Sequence, residues 1–104
     1  MRSEEDAVGT MTINITDIEV AAASRADVEE GLLGYVTCTI NGALRIERLV
    51  LRRTATGRLT LSFPARRTER GRQQFYLRPV SDAARREIEA QIFAAIGAAE
   101  EANP

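Results

Sequence analysis

The sequence has no histidine, no lysine and no tryptophan, and it has a single cysteine. Without imidazole, metal sites built on histidine and triads that need an imidazole base are excluded. Cys38 has no partner for an intrachain disulfide, which fits a reducing compartment. Aromatic residues make up only 5% of the chain, so aliphatic side chains must build the core. No apolar run reaches the ~18 residues of a membrane span. The opening, Met1 to Gly9, is acidic and lacks the basic and apolar parts of a signal peptide. These absences predict a soluble cytoplasmic protein with no membrane partner, no metal and no cofactor.

What is present is arginine, unevenly spread. All fourteen basic residues are arginine, and they oppose fifteen acids for a net charge of −1. Residues 1–30 carry −6, residues 31–44 carry no charge, residues 45–86 carry +9 and residues 87–104 carry −4. The near-neutral total therefore hides a strongly dipolar chain. A codon bias toward arginine would also remove lysine. Guanidinium forks nonetheless suit bidentate phosphate contacts better than ammonium groups do.

The 104 residues fit one domain. Residues 1–10 read as a disordered acidic lead, 11–97 as the domain and 98–104 as a frayed tail. A first strand is expected over 11–23, where the parity of Ile13 and Ile15 changes at Ile18 and Val20, which predicts a bulge near Thr16-Asp17. Residues 24–31 read as an acidic loop. Residues 32–40 alternate, with Val36, Cys38 and Ile40 facing the core. Asn41-Gly42 is a hairpin signal, because both residues tolerate positive φ. The next strand, from Ala43 to Leu51, again changes parity, from Leu44 and Ile46 to Leu49 and Leu51. After a turn over 52–58, Leu59, Leu61 and Phe63 alternate up to Pro64, which has no N–H for a central ladder. A return strand over 73–78 would make 59–78 one hairpin with a long basic tip. Ser81 is a good N-cap for a helix from Asp82 to about Ile96, with Ala84, Ile88, Ile92 and Ile96 as its stripe and Gly97 as its C′ residue. The fold class is α+β: a small antiparallel sheet built from hairpins, with a C-terminal helix. No internal repeat and no second domain are evident. One sheet face and the edge strands remain uncovered, which suggests a dimer formed through the sheet.

The candidate site is the stretch after Pro64. Arg66, Arg67, Arg70 and Arg72, with Thr68 beside them, form the densest basic cluster of the chain and are placed to contact nucleic-acid phosphates. The plain alternative is a solubilising hairpin tip. Arg85 and Arg86 open the helix, where cations oppose the dipole, so they either meet a phosphate nearby or, for Arg85, pair with Glu89. Arg52, Arg53 and Arg58 either extend the basic surface or serve as turn residues. Phe75 and Tyr76 either stack on an unpaired base or, as strand aromatics usually do, pack on the core. Asp17 and Glu19 are the only closely spaced strand carboxylates, with no further metal ligand beside them. No nucleophile–base pair stands out, so no enzymatic activity is predicted.

Pro64-Ala65-Arg66-Arg67-Thr68, followed by Gly71, resembles the Pro-Ser-Lys-Arg-Thr-x-x-Gly signature of the SpoVG family of small bacterial regulators, named for sporulation and septation. Ile15-Thr16-Asp17-Ile18 resembles that family's Val-Thr-Asp-Val, and Pro79-Val80 before a capped helix is similar to its ending. The likeness covers roughly residues 13 to 96. It implies a homodimeric α+β fold and sequence-preferring DNA binding, with RNA bound by some members. The signature's basic pair falls on Arg66 and Arg67 and its threonine on Thr68. Arg66 stands in place of a usual lysine, Arg78 of a histidine and Gln73 of an aromatic residue. Two functional readings follow: a dimeric nucleic-acid-binding regulator, with DNA favoured over RNA, or a non-enzymatic interaction module that binds a protein partner through its dipolar surface.

Overall fold

The computed structural model describes residues 12–102, so the acidic lead expected over 1–10 lies outside the described residues. In order, the elements are β1 (Ile15–Ala22), α1 (Arg25–Glu29), β2 (Leu32–Ile40), β3 (Leu44–Arg53), β4 (Leu59–Ser62), β5 (Ala65–Arg67), β6 (Gln73–Phe75) and α2 (Asp82–Ala102). The first four strands form an antiparallel sheet in the order β1-β2-β3-β4, and β5 and β6 make a separate two-stranded ribbon. The α+β class expected from the hydrophobic pattern is the one observed.

Both parity changes in the sequence are bulges. Thr16 pairs with Thr39 and Glu19 with Thr37, so Asp17 and Ile18 together oppose Cys38. Cys38 pairs with Ile46 and Val36 with Leu49, so Glu47 and Arg48 together oppose Thr37. The extra residue takes a positive φ in each case, 51° at Asp17 and 67° at Arg48. Such a conformation costs an L-residue about 1–2 kcal/mol. At β3 the gain is larger, because the bulge turns Leu49 and Leu51 inward, and burying each fully is worth ~1.5–3 kcal/mol. Arg48 lies over the Tyr35 ring on the outer face, 4.6 Å from its centroid.

The core lies between the sheet and α2. Val36, Cys38, Ile46, Leu49, Leu51, Leu61 and Phe63 meet Ile88 and Ile92 of the helix. Ser81 caps that helix as its position predicts: its Oγ accepts from the Ala84 N–H at 3.1 Å and its carbonyl from the Arg85 N–H at 3.0 Å. At its far end α2 continues through Gly97 to Ala102. Gly97 is therefore not a terminating residue, because the Ala98-Ala99-Glu100-Glu101-Ala102 run of strong helix formers outweighs ~1 kcal/mol for one glycine. The fraying tail expected from residue 98 is thus helical as far as 102, and the last two residues lie outside the described ones.

Side chains of α2 also close the edges of the sheet. The Glu89 carboxylate accepts from the Leu61 N–H at 3.2 Å, and Arg85 donates to the Leu61 carbonyl at 2.9 Å. Arg85 and Glu89 are joined to each other at 3.1 Å. On the opposite edge the Gln91 amide accepts from the Ile15 N–H at 2.8 Å and donates to the Ile13 carbonyl at 2.6 Å. Strand edges left with unpaired backbone groups invite association. Here one helix satisfies part of both.

Two further expectations are corrected. The acidic stretch 24–31 is not a loop throughout: Ser24 caps α1, accepting from the Asp27 N–H at 3.2 Å. A good cap and an acid in the first turn suffice for a short helix with no buried residue. Residues 59–78 are not one hairpin either. Pairing stops at Ser62 before Pro64, and the strand starting at Gln73 returns along β5, with Ala65 opposite Phe75, and ends there.

Candidate nucleic-acid interface

Five residues, Thr68 to Arg72, connect β5 to β6 in a turn closed by three hydrogen bonds. The Thr68 N–H donates to the Arg72 carbonyl at 2.8 Å, and the Gly71 N–H to the Thr68 carbonyl at 2.9 Å. The Thr68 hydroxyl accepts from the Arg72 N–H at 3.1 Å. Gly71 sits at φ +78° with nothing within 4 Å of where a Cβ would be, so the glycine serves backbone conformation and not packing. Arg67 braces the turn by donating to the Gly71 carbonyl at 3.0 Å. Thr68 is therefore half-buried turn machinery, while Arg66, Arg67, Arg70 and Arg72 are exposed.

The ribbon divides these arginines between its faces. Arg66, cross-strand from Gln74, shares an open depression of about 420 Å³ with Thr68, Glu69 and Arg70. Arg67, cross-strand from Gln73, belongs to the alternate register position. Among the described residues the ion pairs are Arg45 with Glu19 and Arg85 with Glu89, so none of the four ribbon arginines is neutralised by one. Four guanidinium groups on a thin, two-sided support, with spare donors, suit a ligand that runs past the ribbon and carries regularly spaced negative charge.

The two helix arginines differ from each other. Arg85 is half-buried, joined to Leu61 and Glu89, and its guanidinium lies 5.4 Å from the centre of the Phe63 ring. Its charge is engaged in holding α2 to β4, through the i,i+4 pairing that the sequence allows it. Arg86 is exposed and borders a depression of about 480 Å³ with Arg58, Leu59, Glu89, Ala90 and Phe93. It thus faces the β3–β4 turn through Arg58, a residue whose sequence context admits two roles.

Phe75 and Tyr76 do not pack on the core. They are 40% and 68% exposed, because the ribbon that carries them stands apart from the main sheet. Leu77 and Val80 follow, the latter 92% exposed. Of the strand carboxylates, Glu19 is held by Arg45 at 2.6 Å, and Arg45 also donates to the Asp17 carbonyl and the Thr39 hydroxyl at 2.9 Å. Among the described residues no three acids, histidines or cysteines gather where a metal would sit, and no helix is long and apolar enough to cross a membrane.

Fold and surface together define a small α+β protein that displays arginines on hairpin turns. No protein-family model matches the chain, and no curated protein matches it.

Proposed function

We propose that this chain is a SpoVG-like nucleic-acid-binding regulator that works in the cytoplasm as a homodimer and grips DNA, or less favourably RNA, by its phosphates. The reading rests above all on Arg66, Arg67, Arg70 and Arg72, exposed on one protruding ribbon with no carboxylate paired to them. Thr68 sets the turn that presents them, Arg86 adds charge from the helix, and Arg85 supports through the fold. The Pro64-to-Gly71 resemblance points the same way. A second copy is favoured by the apolar run Phe75, Tyr76, Leu77 and Val80, which lies in solvent at the base of the ribbon. That location differs from the sheet itself, whose outer face carries the Arg45–Glu19 pair and is poorly suited to an apolar interface.

Fluorescence anisotropy with a labelled duplex, repeated across salt concentrations, tests the reading. Four phosphate contacts from each protomer would release about eight counterions and give a log–log slope near −7. Binding that ignores salt, or that survives Arg66→Ala with Arg67→Ala unchanged, would end the proposal. The same apolar run favours the second reading, a protein-interaction module of septation or developmental regulation. That reading requires a defined protein complex and no nucleic-acid binding at physiological salt.

A further inference from the structure

The β5–β6 turn has a twin. Arg52-Arg53-Thr54-Ala55-Thr56-Gly57-Arg58 and Arg66-Arg67-Thr68-Glu69-Arg70-Gly71-Arg72 share the pattern Arg-Arg-Thr-x-x-Gly-Arg, fourteen positions apart. The chain therefore does contain a short internal repeat, and it is structural as well as sequential. The Thr54 N–H donates to the Arg58 carbonyl at 2.8 Å and the Gly57 N–H to the Thr54 carbonyl at 2.9 Å, the same distances as at 68–72. The Thr54 hydroxyl accepts from the Arg58 N–H at 3.1 Å, again as in the twin. Arg53 donates to the Gly57 carbonyl at 3.4 Å where Arg67 donates to that of Gly71. Gly57 and Gly71 have φ of +88° and +78°, each with open space around a Cβ. Each turn spans five residues between paired strand ends, Arg53 with Leu59 and Arg67 with Gln73.

The turn itself explains only part of this pattern. It needs the threonine as hydroxyl acceptor, the glycine for its φ and the second arginine as brace. It does not need arginine at the last position, since the Arg58 and Arg72 contacts that close the turns come from backbone atoms. Neither guanidinium forms an ion pair among the described residues. A charge repeated where the fold has no use for it points to a ligand. The surroundings agree on the Arg58 side of the second turn, away from Glu29 and Glu30, which border Arg53 to Ala55: Thr54, Thr56, Arg58 and Thr60 line a cleft of about 350 Å³ against Arg85 and Glu89, beside the depression that Arg58 shares with Arg86.

We propose that the Thr54–Arg58 turn is a second phosphate-contact site, in which Arg58 and Arg86 hold the backbone of the same nucleic acid that the β5–β6 ribbon engages. The proposal rests on the nucleic-acid reading above. It assigns Arg86 to the β3–β4 turn and makes each protomer a two-point clamp on a polyphosphate, with the Thr60 hydroxyl and one of the mutually hydrogen-bonded Thr54 and Thr56 hydroxyls as neutral donors beside the charges.

Anisotropy titrations of the full chain with a labelled duplex of about 24 base pairs, and with its single strand, test this in a range of NaCl. Arg58→Ala with Arg86→Ala is expected to reduce the salt slope by about 1.8 per protomer and to weaken binding several-fold, while Arg58→Lys with Arg86→Lys keeps the slope. Both positions are exposed, and unchanged circular dichroism and melting temperature separate the effect from misfolding. If the alanine pair leaves slope and affinity unchanged while Arg66→Ala with Arg70→Ala lowers both, the second site is wrong and the ribbon reading stands. Absence of binding by the unaltered protein would overturn both.

Discussion

At the level of single residues, conformation and burial make separable demands. Cys38 lies wholly inside the core, and burial pushes its thiol above the ordinary range against a smaller opposing pull from Arg45. It should resist iodoacetamide at neutral pH in the native protein and react once the chain is unfolded in urea, followed by mass spectrometry. The sign of the pH effect follows from the raised value. The neutral thiol is favoured in the fold, so its contribution to stability is intact below the unfolded pKa of ~8.5 and is lost as pH rises beyond it toward the folded value. A urea midpoint that falls above that pH in the native sequence and falls less in Cys38→Ala would bear this out. Gly57 and Gly71 pose the complementary case, free space with a left-handed backbone. Alanine at either should lower stability by about 1 kcal/mol through φ alone, read as a reduced urea midpoint with the m-value unchanged.

Among the elements, the helix does more than cover a sheet. Arg85 and Glu89 serve the N–H and carbonyl of Leu61, and Gln91 serves Ile15 and Ile13, so α2 fastens both edge strands. Glu89→Ala should strand the Leu61 N–H and take the carboxylate from Arg85, which keeps its bond to the Leu61 carbonyl, and cost about 1–2 kcal/mol, whereas Gln91→Leu strands one donor and one acceptor for a similar loss. A double-mutant cycle on Arg85 and Glu89 by urea denaturation would give a coupling near zero if the pair were ornamental. The parity change from Ile13 and Ile15 to Ile18 and Val20 made the bulge of β1 legible, and that from Leu44 and Ile46 to Leu49 and Leu51 marked the irregularity of β3, because side-chain period is a local property. The clamps were not legible, since Gln91 is 76 residues from Ile15 and nothing in its neighbourhood marks an amide destined for a strand edge. The separation of β5–β6 from the sheet was half legible: Pro64 announced an interruption, but only the register decides which strand the chain returns along. The arginine cluster could be read directly. Its division between ribbon faces required the strand register, and although the kinship of its turn with 54–58 is written in the sequence as Arg-Arg-Thr-x-x-Gly-Arg, that the two segments form the same turn required the hydrogen bonds.

For the whole molecule, the decisive quantity is how charge and apolar surface are apportioned. Asp17 and Glu19 lie on β1, at one edge of the sheet, whereas Glu29 and Glu30, at the end of α1, border the Arg53–Ala55 flank of the β3–β4 turn. The β5–β6 turn stands on a ribbon separate from that sheet, and Arg58 of the β3–β4 turn shares a depression with Arg86 and not with Glu29 or Glu30, so both turns can present positive charge despite a net charge of −1. Tyr76 and Val80, at the base of the ribbon, connect that proposal to assembly. If they meet a second copy, two ribbons become fixed relative to each other and both engage one nucleic acid. Breaking the dimer should then change the salt slope as well as the mass. Tyr76→Asp with Val80→Asp is expected to halve the mass seen by analytical ultracentrifugation and to bring the slope, near −7 for the ribbon arginines alone and about −11 with Arg58 and Arg86 as well, to about half its value. An unaltered protein that sediments as a monomer, with a slope already at the lower figure, would instead leave the apolar run to a different protein partner and make each chain a self-sufficient binder.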